Sequence, residues 1–399
     1  MYWGSFAAAA HFIPAAALNK SIIAAVGLCL CLACTFGALE ARAEERELAA
    51  MPLPEALEAI RAKHALPALA AASIRGVKIE ASAAVGVRKL GGTEKVTLED
   101  RWHIGSCTKS MTATLAAMAV ERGELKWTTT VGESFPSLRD EIEPQWAGVT
   151  LEQLLTHRAG APAEPPENLW RNAWTQQGTP TEQRLQFVRG LLLRRPVAPP
   201  GTKFIYSNQG YSIAGAMLER ATSQPWETLM TTQLFPACVM PNSGFGAPAS
   251  AGKVDQPWGH RREGDKLVPV PQGRQADNPP AIGPAGTVHC TIEEFARYAA
   301  WHARGERTGT VSLKKESFVK LHTAAAGGDY AMGWNVAPRE WAGGNALTHA
   351  GSNTMFFAVV WIAPEKDAAF VAATNCPGDE AAKGCDEAVS LLIERLLKK

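Results

Sequence analysis

Net charge is nearly absent from this chain: 40 Lys and Arg stand against 39 Asp and Glu over 399 residues, a formal +1. So even a balance supplies no attraction for nucleic acid or an anionic membrane surface, and neither is expected as a stable partner. Internal repeats are missing, as is any low-complexity tract beyond the alanine-rich N-terminus. The nine histidines and eight cysteines show no metal-ligand spacing, so neither a metal nor an organic cofactor is expected.

What is present begins with an export-like N-terminus. Lys20 precedes the uncharged run Ser21–Phe36, and Ala41-Arg42-Ala43 supplies a small-x-small pattern before Glu44. A signal peptide over residues 1–43 is expected, with a periplasmic or secreted product spanning 44–399. The alternative is an uncleaved N-terminal membrane anchor. Cys29, Cys31 and Cys34 would leave with the signal. Of the five that remain, Cys376 and Cys385 bracket a Pro-Gly loop and could form a disulfide in an oxidising compartment. Cys107 reads as a small core residue.

The mature length, at 46% hydrophobic overall, is ample for one large or two moderate domains. A helical period over Pro54–His64 precedes two expected strands, Ala68–Ile74 and Val77–Val87, with residues up to Val96 continuing the sheet. Helices are expected at Val149–Leu155, Glu182–Leu193, Tyr211–Thr222, Thr291–Arg304 and Asp386–Leu397. Phe235–Thr287 is irregular and rich in Pro and Gly, which marks it as bordering a site. Ala346–Ala363 and Ala368–Ala373 read as a hairpin turning at Pro364-Glu365-Lys366-Asp367. Strands at both ends with helices between suggest an α/β lobe of about 44–105 and 286–399, interrupted by a mostly helical lobe of about 106–285.

One stretch carries chemistry. From Ser106 to Val120 the only charged residue is Lys109, and the rest reads as a helix with almost no polar face. Such a helix belongs in the interior, where burial depresses a lysine pKa. Ser106 lies three residues before Lys109, on the same helical face. A serine beside a lysine that can be neutral is a nucleophile beside a base. Helix capping would explain Ser106 but not Lys109, because a cation in the first turn opposes the helix dipole. The same spacing recurs at Ser312–Lys315 and Ser317–Lys320, in a charged segment that reads as a solvated helix face.

Two further clusters are weak alone. Tyr206-x-Asn208 follows a Pro-Gly turn; Asn208 reads as a helix N-cap and Tyr206 as a packing anchor. In the chemical alternative, Tyr206 shuttles the serine proton if nearby positive charge lowers its pKa. Asn208 would then donate to a substrate carbonyl and help fix Lys109. His349-Ala350-Gly351-Ser352 opens an expected strand. There His349 is either a satisfied core histidine or part of the site. Small Gly351 would let substrate approach the strand backbone, and the Ser352 N–H could join that of Ser106 as an oxyanion hole.

In this order the three clusters resemble the serine β-lactamase and penicillin-binding protein superfamily, on its class C β-lactamase, D,D-peptidase and esterase side. Members carry Ser-x-x-Lys, then Tyr-x-Asn, then Lys- or His-x-Gly. Tyr206 follows Ser106 by 100 residues and His349 follows Tyr206 by 143. The flanks match too: Leu154-Leu155-Thr156-His157-Arg158-Ala159-Gly160, Pro200-Gly201-Thr202-Lys203, Pro284-Ala285-Gly286-Thr287 and Gly351-Ser352-Asn353-Thr354. The resemblance implies a mixed α and β fold, with a three-layer α-β-α lobe around a mainly antiparallel sheet. It implies an acyl-enzyme at Ser106, with Lys109 and Tyr206 moving its proton and His349 in the third motif.

The departure is His349. Antibiotic-destroying members typically place lysine there, a permanent cation that attracts the β-lactam carboxylate. A histidine near its usual pKa of about 6.5 is mostly neutral at about pH 7. Weak β-lactam turnover is therefore expected, with an ester or a D-amino-acid amide or peptide as small-molecule substrate. A penicillin- or cell-wall-fragment binder without turnover is the rival of another class.

Overall fold

The computed structural model describes residues 46–175 and 177–397; the expected signal peptide lies outside them. Residues 46–50 form a short helical stretch of their own, and one compact unit begins at Pro52. None of the described helices is long and apolar enough to cross a membrane.

Apolar runs without polar alternation set the architecture. The strand Ala68–Arg75 (β1) is buried at every position but its last, and Ala368–Thr374 is buried throughout. Strands of that kind need cover on both faces. They lie at the middle of a six-stranded antiparallel sheet. After helix α1 (Leu53–Lys63) and β1 comes β2 (Lys78–Gly86), and much later β5 (Asn335–Arg339), β6 (Gly344–Ser352), β7 (Phe357–Ala363) and β8 (Ala368–Thr374). The spatial order is β2-β1-β8-β7-β6-β5. Ala72 pairs with Val371, Val371 with Val360, and Val360 with His349. One sheet face, including Ala70, Ala72, Val360 and Val371, joins the main core with Phe295 and Ala299 of the helix Ile292–Thr308 (α7). The helix Lys315–His322 (α8) packs on α7, and the helix Asp379–Leu397 (α9) on β1, β7 and β8.

Between the two groups of strands run β3 (Arg101–His103) and the helices α2 (Thr108–Glu121), α3 (Leu151–Leu155), α4 (Glu167–Thr175), α5 (Pro180–Leu192) and α6 (Asn208–Thr222). A short strand, Val288–Thr291 (β4), pairs with β3. Capping boxes start α3 at Thr150/Gln153, α5 at Thr179/Glu182 and α7 at Thr291/Glu294, each satisfying amide donors that a helix start leaves open.

Three expectations are corrected. Residues Ala346–Ala363 are not one strand, because Asn353 Oδ1 accepts the Met355 and Phe356 N–H groups and closes a turn between β6 and β7. The sheet does not continue to Val96; only a Val87–Lys95 bridge forms. Cys376 and Cys385 are buried free thiols, not a disulfide; Cys385 packs within α9, and Cys376 Sγ lies 3.5 Å from Thr374 Oγ1.

Candidate active site

Ser106 lies in a single 3₁₀ turn, Gly105–Cys107, immediately before α2. It therefore does not cap α2, and its side chain remains available. Most of α2 is buried, as its nearly featureless apolar sequence requires. Lys109, in its first turn, is 0% exposed. Its Nζ lies 2.9 Å from Ser106 Oγ, 2.6 Å from Asn208 Oδ1 and 2.8 Å from Ala285 O. Burial lowers this amine from 10.5 to about 7, since desolvation penalises the charged form. The ammonium can donate to all three oxygens. The neutral amine can still donate to Asn208 and Ala285, which directs its lone pair at the Ser106 hydroxyl.

Ser207, not Asn208, caps α6, its Oγ accepting the Gly210 N–H. Asn208 begins the helix with its side chain on Lys109, and its Nδ2 is left to donate elsewhere. Tyr206 precedes the cap. Its residue surface is 36% exposed, while its phenol stands beside Ser106 and is largely desolvated. Lys109 Nζ lies over the Tyr206 ring at 4.8 Å from the centroid. The sequence reading required positive charge to lower the tyrosine pKa. Burial of the phenol instead pushes it up, outweighing the lowering effect of Ser106.

The backbone of β6 closes against the Ser106 turn. A Cβ on Gly351 would stand 2.0 Å from Ile104 O and 2.7 Å from Ser106 N. One on Gly105 would stand 2.4 Å from Ser352 N. Gly105 also holds φ +49, a region that disfavours a side chain. The Ser106 and Ser352 amides can approach each other only because both positions are glycine.

His349 is buried, and its nitrogens engage neither Ser106 nor Lys109. Its Nδ1 donates to Ala350 O at 2.7 Å, while Nε2 lies 3.5 Å from the Tyr330 hydroxyl. Burial, then the Lys109 charge, lowers it to about 3, so it is neutral throughout the physiological range.

Sequence reasoning passed over His157 and Tyr330. His157 Nδ1 accepts the Ser207 N–H at 3.1 Å, so Nε2 carries the proton that is donated to the Tyr330 hydroxyl at 3.2 Å. The His157 ring lies 4.4 Å from that of Tyr206, centroid to centroid. Burial holds it well below the ordinary histidine pKa. It is thus a neutral spacer behind Tyr206, and its only sequence signal was a lone histidine in the flank ending at Gly160. Among the described residues no group of three His, Cys, Asp or Glu is placed to hold a metal ion.

Comparison with known proteins gives the family. The family profile described as Beta-lactamase matches residues 53–393. The chain belongs to the beta-lactamase family. The chain is 28% identical over 214 residues to a Beta-lactamase of Escherichia coli strain K12, covering 53% of the chain and 50% of that protein. It is 26% identical over 331 residues to Penicillin-binding protein 4 of Amycolatopsis lactamdurans, covering 80% and 84% respectively. The chain thus spans about half the length of the first relative and most of the second. Its fold matches the octameric penicillin-binding protein homologue from Pyrococcus abyssi at a TM-score of 0.71 and 22% identity, covering 87% of this chain and 78% of that one.

Proposed function

We propose that this hydrolase forms an acyl-enzyme at Ser106 and acts on an ester or a D-amino-acid amide or peptide. The observation that carries the reading is the solvent-free Lys109 amine, 2.9 Å from the Ser106 hydroxyl, with its remaining protons directed at Asn208 and Ala285. Lys109, as the amine, accepts the Ser106 proton while Oγ bonds to the substrate carbonyl carbon. Lys109 rather than Tyr206 is the acylation base, because burial favours the neutral form of both groups and only the neutral amine is basic. The Ser106 and Ser352 N–H groups hold the oxyanion, and Asn208 Nδ2 donates to a substrate oxygen. As the tetrahedral centre collapses, the Tyr206 phenol protonates the leaving group and is reprotonated from the Lys109 ammonium. Water then releases the acid and frees Ser106.

Two observations bear on the substrate. Neutral His349 offers no cation to a β-lactam carboxylate, which favours uncharged esters and amides. Beyond Ser352, a cleft of about 520 Å3 is lined by Trp170, Trp174 and Met355 together with Arg261, Gln275 and Asn278, a mixed wall that suits an acyl group with both apolar and polar parts. We place the mature protein outside the cytoplasm, on the uncharged run before Ala41-Arg42-Ala43. N-terminal sequencing of the exported product should begin at Glu44.

The test is pre-steady-state release from p-nitrophenyl esters, with benzylpenicillin in parallel. A burst followed by turnover is expected with the esters, and slow hydrolysis with the penicillin. A burst without turnover would make the protein a binder, and efficient penicillin hydrolysis would overturn the substrate reading.

A further inference from the structure

Asp277 lies in the long irregular stretch before β4 and is 5% exposed. Its Oδ2 accepts from His103 Nε2 at 2.9 Å, and its Oδ1 accepts from Asn353 Nδ2 at 2.9 Å. Both donors are fixed in their roles by other bonds. His103 Nδ1 accepts the Gly105 N–H at 3.1 Å, which leaves the ring proton on Nε2, facing the carboxylate. Asn353 Oδ1 accepts the Met355 and Phe356 amides at 3.2 and 2.9 Å, which leaves its NH2 to face Asp277. His103 leads into the Ser106 turn, and Asn353 directly follows Ser352. One buried carboxylate therefore bridges the two backbone segments whose amides flank the nucleophile.

We propose that Asp277 is a positioning residue that sets the oxyanion hole by tying the Ser106 turn to the end of β6. The proposal rests on the acyl-enzyme reading of Ser106. Gly105 and Gly351 permit the close approach of the two segments, and the Asp277 bridge holds their register. A carboxylate costs desolvation that an apolar contact would not. What it supplies is a two-pronged acceptor matched to two donors that cannot exchange roles. Loss of that match shifts the Ser352 N–H relative to the Ser106 N–H, and a hole displaced by about an ångström loses roughly a hundredfold in rate.

A swap of partners tests it. In Asp277→Asn one oxygen still serves His103, but an NH2 group meets the Asn353 NH2. In Asn353→Asp two carboxylates meet. In the double variant Asn at 277 donates to Asp at 353, which still accepts the Met355 and Phe356 amides, and every bond is restored. For a p-nitrophenyl ester, each single variant should lower the acylation rate about 10- to 100-fold with little change in KM, and the double variant should recover most of the loss. Amide hydrogen exchange at residues 103–107 and 351–356 should quicken in both segments in either single variant and slow again in the pair. An unimpaired Asp277→Asn, a double variant no better than the worse single, or exchange that quickens on one side alone would overturn the proposal. A wild-type protein that never carries an acyl group on Ser106 when quenched from a slowly deacylating ester would remove the acyl-enzyme reading by itself, and the exchange measurement would still decide whether the bridge couples the two segments.

Discussion

Replacing Asn208 by Asp puts a carboxylate where Oδ1 now accepts from Lys109 Nζ at 2.6 Å. In the native chain burial lowers this amine to about 7. The base must be deprotonated to act, so acylation should rise with pH through that value. About half the molecules are competent at pH 7 and about 1% at pH 5, an acid limb of roughly a hundredfold. An adjoining carboxylate favours the charged amine and raises its pKa by about 1–3 units. The acid limb of kcat/KM should move up by that amount. Acylation at about pH 7 should fall between about 5- and 500-fold and recover as the pH passes about 8–10. Asn208→Ala serves as control: it lowers the height of the profile without adding a charge, so its limb should not follow that of Asn208→Asp. The assay is kcat/KM for a p-nitrophenyl ester against pH, corrected for spontaneous hydrolysis. A native profile without a limb near pH 7, or the same midpoint in the native and Asn208→Asp proteins, would refute the assignment of Lys109 as base.

Other outcomes follow from the same contacts. Tyr206→Phe keeps the ring against His157 but loses the proton donor, so kcat should fall about 10²- to 10⁴-fold with little change in Tm. Gly351→Ala drives a methyl into Ile104 O and should abolish acylation together with a measurable loss of stability in urea. Arg184, 0% exposed, pairs with Glu219 and Glu227 and touches neither Ser106 nor Lys109. Arg184→Met leaves a buried carboxylate without its partner and should cost about 3–5 kcal/mol in urea unfolding, while the midpoint of the acid limb stays in place.

The contact between Ser106 and a buried Lys109 was legible because it is local. Ser106 and Lys109 are one helical turn apart, and a lysine in an otherwise apolar helix announces its own burial. The strands of the sheet were legible for a similar reason, since β1 and β8 are continuous apolar runs. The break at Asn353 was hidden, because a single side chain turning on the next amides leaves no gap in an apolar run. Asn208 was easily mistaken for a cap, since Ser207 beside it is an equally good capping residue. The groups behind the site were illegible for a different reason. His157 and Tyr330 come from distant segments, as do His103, Asp277 and Asn353, and only tertiary folding brings each set together. Tyr206 shows a third limit: the sequence placed a lysine in the same site, but did not show the burial that raises the phenol instead.

The central claim is that Ser106 carries the acyl group and that Lys109 removes its proton. Intact mass and peptide mapping of protein quenched from a slowly deacylating ester test it most directly, across about pH 5–9. A single acyl adduct on Ser106, forming faster with pH about a midpoint near 7 and absent from Ser106→Ala, is the predicted result. An adduct on another residue, or formation at Ser106 that is indifferent to pH through that range, would contradict it.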